Sequence, residues 1–472
     1  MSIESILRRG AMLFVFLAIP LFCGSSEAGM RERVFETRLS NGLKVLLLED
    51  HKIPLVSVQV WYRTGSRNEE FGKTGISHLL EHMMFKGTKK VSADAFTRMI
   101  QENGGQENAF TSQDYTGYFE NLTSNRIGIP LTIESDRMHN LILRESDFQS
   151  ERMVVMEERR MRTDDNPHAY LMEQVDAAAF QTQPYHWPIV GWMDDIARIT
   201  LQDLKEYYRN HYSPDNSILT IVGDFRKEKL LPQIERLFGR IPKGRPPAAV
   251  HYSDPPQTGE RRLAVNREAQ LPAIILGYHV PNLRDPDGYV LEVISSLLSE
   301  GKSSRLFVDL VKEKQLALDV DTDYPLLSTD PGLFTVSAEA APGKNVSDVE
   351  KALEDQLERL RREPVGESEL EKAKNQLEAA FIFQQDSFFS QGMLLARYEI
   401  ALDWKAADDY VPSVLRVTVE DVLRVAKLYL APDKRTVGIL NPLPLEPGKV
   451  PPSGSPLKEN IIRKAENAHD SE

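Results

Sequence analysis

The sequence predicts an α+β chain of two homologous domains, each a mostly antiparallel sheet packed with helices, and three observations carry that expectation. The first is internal duplication. At a fixed offset of 218 residues, Ile76-Ser77-His78-Leu79-Leu80 faces Ile294-Ser295-Ser296-Leu297-Leu298, Pro54 faces Pro272 and Glu151 faces Glu369. Near the end of each half, Thr200, Asp203, Pro214 and Asp215 face Thr418, Asp421, Pro432 and Asp433. One offset held over such spans marks a repeated unit. The second observation is strand chemistry. Asn41-Gly42 lies between apolar runs, a strong hairpin signal. Val56, Val58 and Val60 alternate with Ser57, Gln59 and Trp61, the pattern of a half-buried strand. The third is helical chemistry mixed among the strands. Ser92 is placed to cap a helix from about Ala93 to Gly104-Gly105, and Glu350 to Leu360 and Leu370 to Phe383 also read as helices. Strands and helices mixed within each half read as α+β.

A chain of 472 residues exceeds one ordinary core and suggests two or more domains. With 41% hydrophobic and 27% charged residues it has the composition of a soluble globular protein. Its formal net charge of −13 argues against nucleic-acid binding, which needs a basic face.

From the start of the chain, Arg8 and Arg9 precede an apolar run, Ala11 to Cys23, and small residues follow at Ser26-Glu27-Ala28. Residues 1–28 therefore read as a signal peptide, cleaved after Ala28. The run is 13 residues long, short of the roughly 20 that span a bilayer, and no later stretch reaches that length. The mature chain is expected to be exported, most simply to a bacterial periplasm, and to lack a membrane span. Cys23 is the only cysteine, so the mature chain has no disulfide or cysteine ligand. Lipid attachment at Cys23 is disfavoured because bulky Phe22 precedes it. Residues 29–242 form the expected first domain. The segment 243–262 holds Pro246, Pro247, Pro255 and Pro256 and reads as a linker. Residues 263–445 form the second domain. Proline and then charge dominate 446–472, which is expected to be poorly ordered.

Chemistry concentrates in His78-Leu79-Leu80-Glu81-His82. At about 100° per residue, the two histidines fall one turn apart on one helix face with Glu81 beside them. Ile76, Leu79, Leu80 and Met83 fall on the opposite side, so the histidines lie outside the stripe that packs on the core. A reading as two solvated surface histidines fits that geometry but leaves a downstream carboxylate unexplained. Imidazoles at i and i+4 can grip Zn²⁺, and a catalytic site wants a third protein ligand and one open position. In the run Glu151 to Glu158, a helix puts Glu151, Val154, Val155 and Glu158 on one face and Glu157 elsewhere. A carboxylate among valines is expected to be partly buried and to need a cation, which selects Glu158 as ligand. Glu151 could accept a hydrogen bond from a ligand histidine; it reads equally well as a solvated carboxylate near a helix start. Glu81 is the candidate base for an attacking water. His-x-x-Glu-His is one of the zinc-peptidase signatures.

Over Gly75 to Thr88 and Glu151 to Glu158 the sequence resembles the pitrilysin family, inverted-motif zinc peptidases that include insulin-degrading enzyme and the mitochondrial processing peptidase. The resemblance extends over nearly all of the mature chain. It implies one zinc ion per chain on His78, His82 and Glu158, Glu81 as base, and a supporting role for Glu151. It also implies that Asn108-Ala109-Phe110-Thr111 is an edge strand to which an extended peptide substrate adds; the residues alone fit an ordinary hairpin strand equally well. The second half resembles the family's inactive repeat: Ser296, Ser299, Glu300 and Gln376 stand opposite His78, Glu81, His82 and Glu158. That repeat normally carries an arginine and, seven residues later, a tyrosine that reach the active site, and here those positions hold Val311 and Leu318. Nearby Arg305 is expected to be structural. The departure, and a length of two domains where larger relatives have four, imply a heterodimer with a homologous two-domain subunit that supplies the pair. The expected function is an exported zinc metallo-endopeptidase acting on peptides or unfolded segments. The alternative is a non-catalytic structural or peptide-binding member of the same family.

Overall fold

The computed structural model describes residues 29–245 and 251–444. The expected signal segment with Cys23, residues 246–250 of the expected linker and the expected tail lie outside the described residues.

Two sheets organise the chain. The first contains β1 (Val34–Arg38), β2 (Lys44–Glu49), β3 (Leu55–Tyr62), β4 (Gln106–Thr111), β5 (Thr116–Thr123) and β6 (Ser217–Gly223), in the order β1-β2-β6-β3-β5-β4. The second contains β7 (Arg261–Glu268), β8 (Ala273–Val280), β9 (Ala317–Asp323), β10 (Gly332–Ala340) and β11 (Arg435–Leu443), in the order β7-β11-β8-β10-β9. β1 apart, the order is the same. Each sheet has a single parallel pair at the matching place, β2 with β6 and β7 with β11. The chain is α+β with two like-built domains, as the duplication requires.

The first half of the chain carries α1 (Ile76–Met83), α2 (Glu145–Arg159), α3 (Pro167–Ala179) and α4 (Leu201–His211), and the second half α5 (Asp287–Ser299), α6 (Glu367–Phe383), α7 (Phe388–Ala401) and α8 (Val419–Tyr429). The offset of 218 residues carries β3 onto β8 and α4 onto α8 without a shift. Even the caps repeat: Thr200 with Asp203 and Thr418 with Asp421 each form a reciprocal capping box.

Local signals held where neighbouring residues suffice. The Asn41-Gly42 hairpin joins β1 to β2, with Gly42 at φ 98°. The helix Ala93–Gln101 starts after Ser92, although that hydroxyl makes no capping bond. The expected helices in the second half are Val346–Arg362 and α6.

One expectation for the sheets failed. β3 is not half-buried: Val56, Val58 and Val60 face the first core, and Ser57, Gln59 and Trp61 are buried as well. The cause is an exchange of helices between halves. From the second half, α7 lies on the far face of the first sheet, where Gln59 donates to the Phe389 carbonyl at 2.9 Å. From the first half, α3 covers the second sheet, with Leu171 and Val175 packed on Ala273, Ile275 and Leu440. Buried charge ties the same seam, since Glu399 of α7 takes Lys44 and Arg63, each at 2.7 Å. No helix among the described residues is long and apolar enough to cross a membrane.

Candidate metal centre

The apolar stripe of α1 is buried as its periodicity demands, with Ile76, Leu79, Leu80 and Met83 all within 2% of full burial. Its start is fixed by backbone chemistry. Gly75 sits at φ 88°, and a Cβ there would lie 2.2 Å from the Val190 carbonyl oxygen, so only glycine fits. The Glu69 carboxylate accepts the N–H groups of Gly75 and Ser77 at 2.7 and 2.8 Å, satisfying donors that a helix start leaves open. Burial pushes Glu69 up to about 8, against the lowering effect of those bonds.

The histidine side of α1 meets α2, which buries Phe148, Glu151, Val155 and Arg159. Val154 does not join that face and is 47% exposed. The buried stripe runs through 148, 151, 155 and 159, so its centre is turned away from 154 by about a quarter of a turn. Glu158 remains on the inner side, only 13% exposed. Its Oε2 lies 3.6 Å from His78 Nε2 and 3.3 Å from His82 Nε2, and the three donors lie within 4.8 Å of one another. Tetrahedral zinc, with bonds of about 2.0–2.1 Å, sets neighbouring donors roughly 3.3–3.4 Å apart. Two nitrogens and one carboxylate oxygen at these separations fit zinc and leave the fourth position open. Among the described residues this is the one group of three or more such side chains so placed.

Electrostatics favour ligation by Glu158 and His78. Burial holds His78 neutral, down to about 3. Burial also acts to raise Glu158, but the hydrogen bond with His82 and the nearby charges keep it ionised, at about 2. For His82 burial opposes the proton, yet bonds to Glu151 and Glu158 lift the ring to about 9. His82 Nδ1 lies 3.3 Å from Glu151 Oε2, which leaves Nε2 directed at Glu158. Lys86 holds the other Glu151 oxygen at 2.5 Å. Glu81 is buried, and burial raises its pKa against the bond it accepts from Thr111 Oγ1 at 2.6 Å.

Of the four strand residues singled out in sequence, all lie on β4, the terminal strand of the first sheet. Asn108 is exposed and Ala109 half-buried, and the Ala109 N–H is taken by the Asn108 side chain at 2.9 Å. Phe110 is turned inward against Trp61, ring centres 5.1 Å apart. Thr111 is buried at Glu81.

Sequence reasoning missed Glu69 and Lys86, and it missed Thr111 as a partner of Glu81. Nothing local marks Thr111, because it reaches Glu81 only through the packing of β4 on α1. In the second half Ser296 Oγ donates to the Ala373 carbonyl, Ser299 meets Thr322 and Arg305 clasps Glu369 at 2.6 and 2.8 Å, a structural role. Val311 packs on the core, and Leu318 is exposed on β9.

The sequence matches the family description "Insulinase (Peptidase family M16)" over residues 44–191 and "Peptidase M16 inactive domain" over 198–377. It is 35% identical to the zinc protease PqqE of Helicobacter pylori, covering 86% of this chain and 92% of that protein. The chain belongs to peptidase family M16, the pitrilysin family. Within M16, a crystal structure of a protease from Helicobacter pylori superposes with a TM-score of 0.83 at 34% identity, covering 87% of this chain and 99% of that one. The periplasmic protease PqqL of Escherichia coli shares the fold at 18% identity, with a TM-score of 0.73 over 88% of this chain and 49% of its own. The M16 relatives named zinc proteases make this chain a member of a metallopeptidase family, and residues 198–377, which take in much of the second half, match the family's inactive domain.

Proposed function

We propose that the protein is an exported zinc metallo-endopeptidase that hydrolyses peptide bonds in peptides or unfolded segments. The observation that carries the reading is the convergence of His78 Nε2, His82 Nε2 and Glu158 Oε2 with buried Glu81 alongside. His78, His82 and Glu158 hold one zinc ion per chain. When bound, zinc supplies a Lewis acid that polarises the scissile carbonyl and lowers the pKa of water. Glu81 takes the proton of the attacking water and delivers it to the departing amine, closing the proton balance of hydrolysis. Thr111 keeps Glu81 in one orientation by binding Oε2, and Glu151 fixes the His82 tautomer. The substrate lies extended along the free edge of β4 and pairs with the backbone of 108–111.

The division into a zinc-bearing domain at 29–242 and an inactive repeat at 263–445, joined at 243–262, belongs to this reading. So does cleavage of a signal segment at 28 and delivery to the periplasm. The hydrocarbon side chains of Val311 and Leu318 cannot donate hydrogen bonds, so the oxyanion donors come from a partner, a homologous two-domain subunit bearing an arginine and a tyrosine. Glu81→Gln is the test: peptide hydrolysis is expected to fall by about 10²–10⁴ while zinc stays bound. Undiminished hydrolysis would remove Glu81 as the base. A wild-type protein that binds peptide and zinc but never cleaves, with or without a partner, would favour the non-catalytic alternative.

A further inference from the structure

The carboxylate of Glu158 has two oxygens, and only one faces the histidines. Oε2 makes both approaches to the imidazoles, whereas Oε1 forms an ion pair with Arg162 Nη1 at 2.8 Å. The backbone beneath Arg162 is unusual. After α2 the residues Arg160–Asp164 form a π turn, in which the Asp165 N–H reaches back five residues to the Arg160 carbonyl at 2.8 Å. Such turns are rare overall but frequent at functional sites; a second one spans Phe307–Glu313. The two partners differ in burial. Glu158 is 13% exposed and the Arg162 side chain 49%. The guanidinium lines a cavity of about 450 Å³ that runs between α3 and the second sheet, and it is the sole lysine or arginine among the described residues of that wall. Glu158 is thus gripped from the open side by a cation and presented on the closed side to the two rings.

We propose that Arg162 is a positioning residue for the metal: by holding Oε1 it restricts Glu158 to ligation through Oε2 alone and keeps the fourth position open. A carboxylate released from that grip can rotate, place both oxygens toward the ion or swing into the cavity. The inactive half has no counterpart. Ala380 stands where the offset would put Arg162, and Gln376, in the place of Glu158, has a buried Oε1 with no hydrogen-bond partner.

The inference rests on the zinc reading above, and its test separates the two. Zinc affinity would be measured by competition with a chromophoric chelator for the wild-type full chain, Arg162→Ala, Arg162→Lys and Glu158→Gln, beside the Tm of each metal-free protein. Arg162→Ala is expected to weaken zinc binding by about 10–100-fold, the usual cost of losing a partner of a ligand. Arg162→Lys is expected to recover part of it, since an ammonium can donate to Oε1 without the planar fork. The metal-free Tm of both variants should stay with wild type, because the Arg162 side chain is half in water. In the cobalt-substituted protein the visible bands of Arg162→Ala should shift as the ligand geometry relaxes. Zinc affinity of Arg162→Ala within twofold of wild type would overturn the inference, as would a loss of affinity matched by a fall in metal-free Tm. A wild-type chain that binds no zinc while Glu158→Gln behaves identically would instead end the zinc reading itself.

Discussion

Where α1 carries His78, Glu81 and His82, the matching stretch around the end of α5 carries Ser296, Ser299 and Glu300, and where α2 presents Glu158, α6 presents Gln376. The two helix pairs sit on sheets of the same strand order, β1 apart. What differs is the use of polar side chains. In the first half, carboxylates converge on imidazoles, with Glu151 behind His82, Lys86 behind Glu151 and Arg162 behind Glu158, while His78 Nδ1 is buried without a hydrogen-bond partner. In the second half the same carboxylate position, Glu369, is neutralised by Arg305, and the serines bond locally to Ala373 and Thr322. One fold thus supports a site where two imidazoles and a carboxylate converge and a site where the matching groups bond locally. Burial of a carboxylate demands a partner in either case, and Glu158 finds Arg162 as Glu369 finds Arg305.

The strongest way to break this comparison is to remove a ligand on each side. His78→Ala or Glu158→Ala is expected to abolish stoichiometric zinc and bring hydrolysis to background. Ser296→Ala or Gln376→Ala should leave both unchanged, as metal analysis and a peptide-cleavage assay would reveal. Next in size is the effect of a partner. If Val311 and Leu318 leave the oxyanion without donors, adding the homologous subunit should raise kcat/KM by about 10²–10³, and equal rates with and without it would count against a heterodimer. Smaller again, Glu151→Gln is expected to weaken zinc binding by about 10–100-fold through the freed His82 tautomer. The matching change Glu369→Gln should leave zinc affinity alone and only loosen Arg305.

The smallest expected effects probe the exchanged helices. A Cβ on Gly438 would lie 2.3 Å from Val175 Cγ2, and one on Gly392 would lie 2.6 Å from the Gln59 amide. Gly438→Ala is expected to destabilise by about 1–3 kcal/mol, because a branched valine on a packed helix cannot step aside. Gly392→Ala should cost less, since an amide end can turn. Thermal unfolding would rank them, and Val175→Ala should rescue the first and not the second.

Most of the frame was legible because its causes are local or periodic. The 218-residue offset, the Asn41-Gly42 hairpin, both capping boxes and the i, i+4 histidines depend on neighbours a turn or a strand away, and the structure reproduces each. The choice of Glu158 over Glu157 also followed from helix phase, although the same reasoning wrongly buried Val154, which sits at the margin of the stripe. Arg162, four residues after Glu158, carried a readable helix-pair signal that gained meaning only with the π turn beneath it.

The rest was decided by tertiary structure. Periodicity tells which side chains share a face but not what will cover it. Ser57, Gln59 and Trp61 read as solvent-facing until α7, more than 300 residues later in the chain, arrives on them. Thr111 became the partner of Glu81, and Phe110 turned from the substrate edge into the core, because β4 packs on α1 and beside Trp61. Residue types and spacing singled out the three donors that the fold brings together. Only the assembled chain, by bringing distant surfaces together and excluding water between them, determined which groups hold those ligands still.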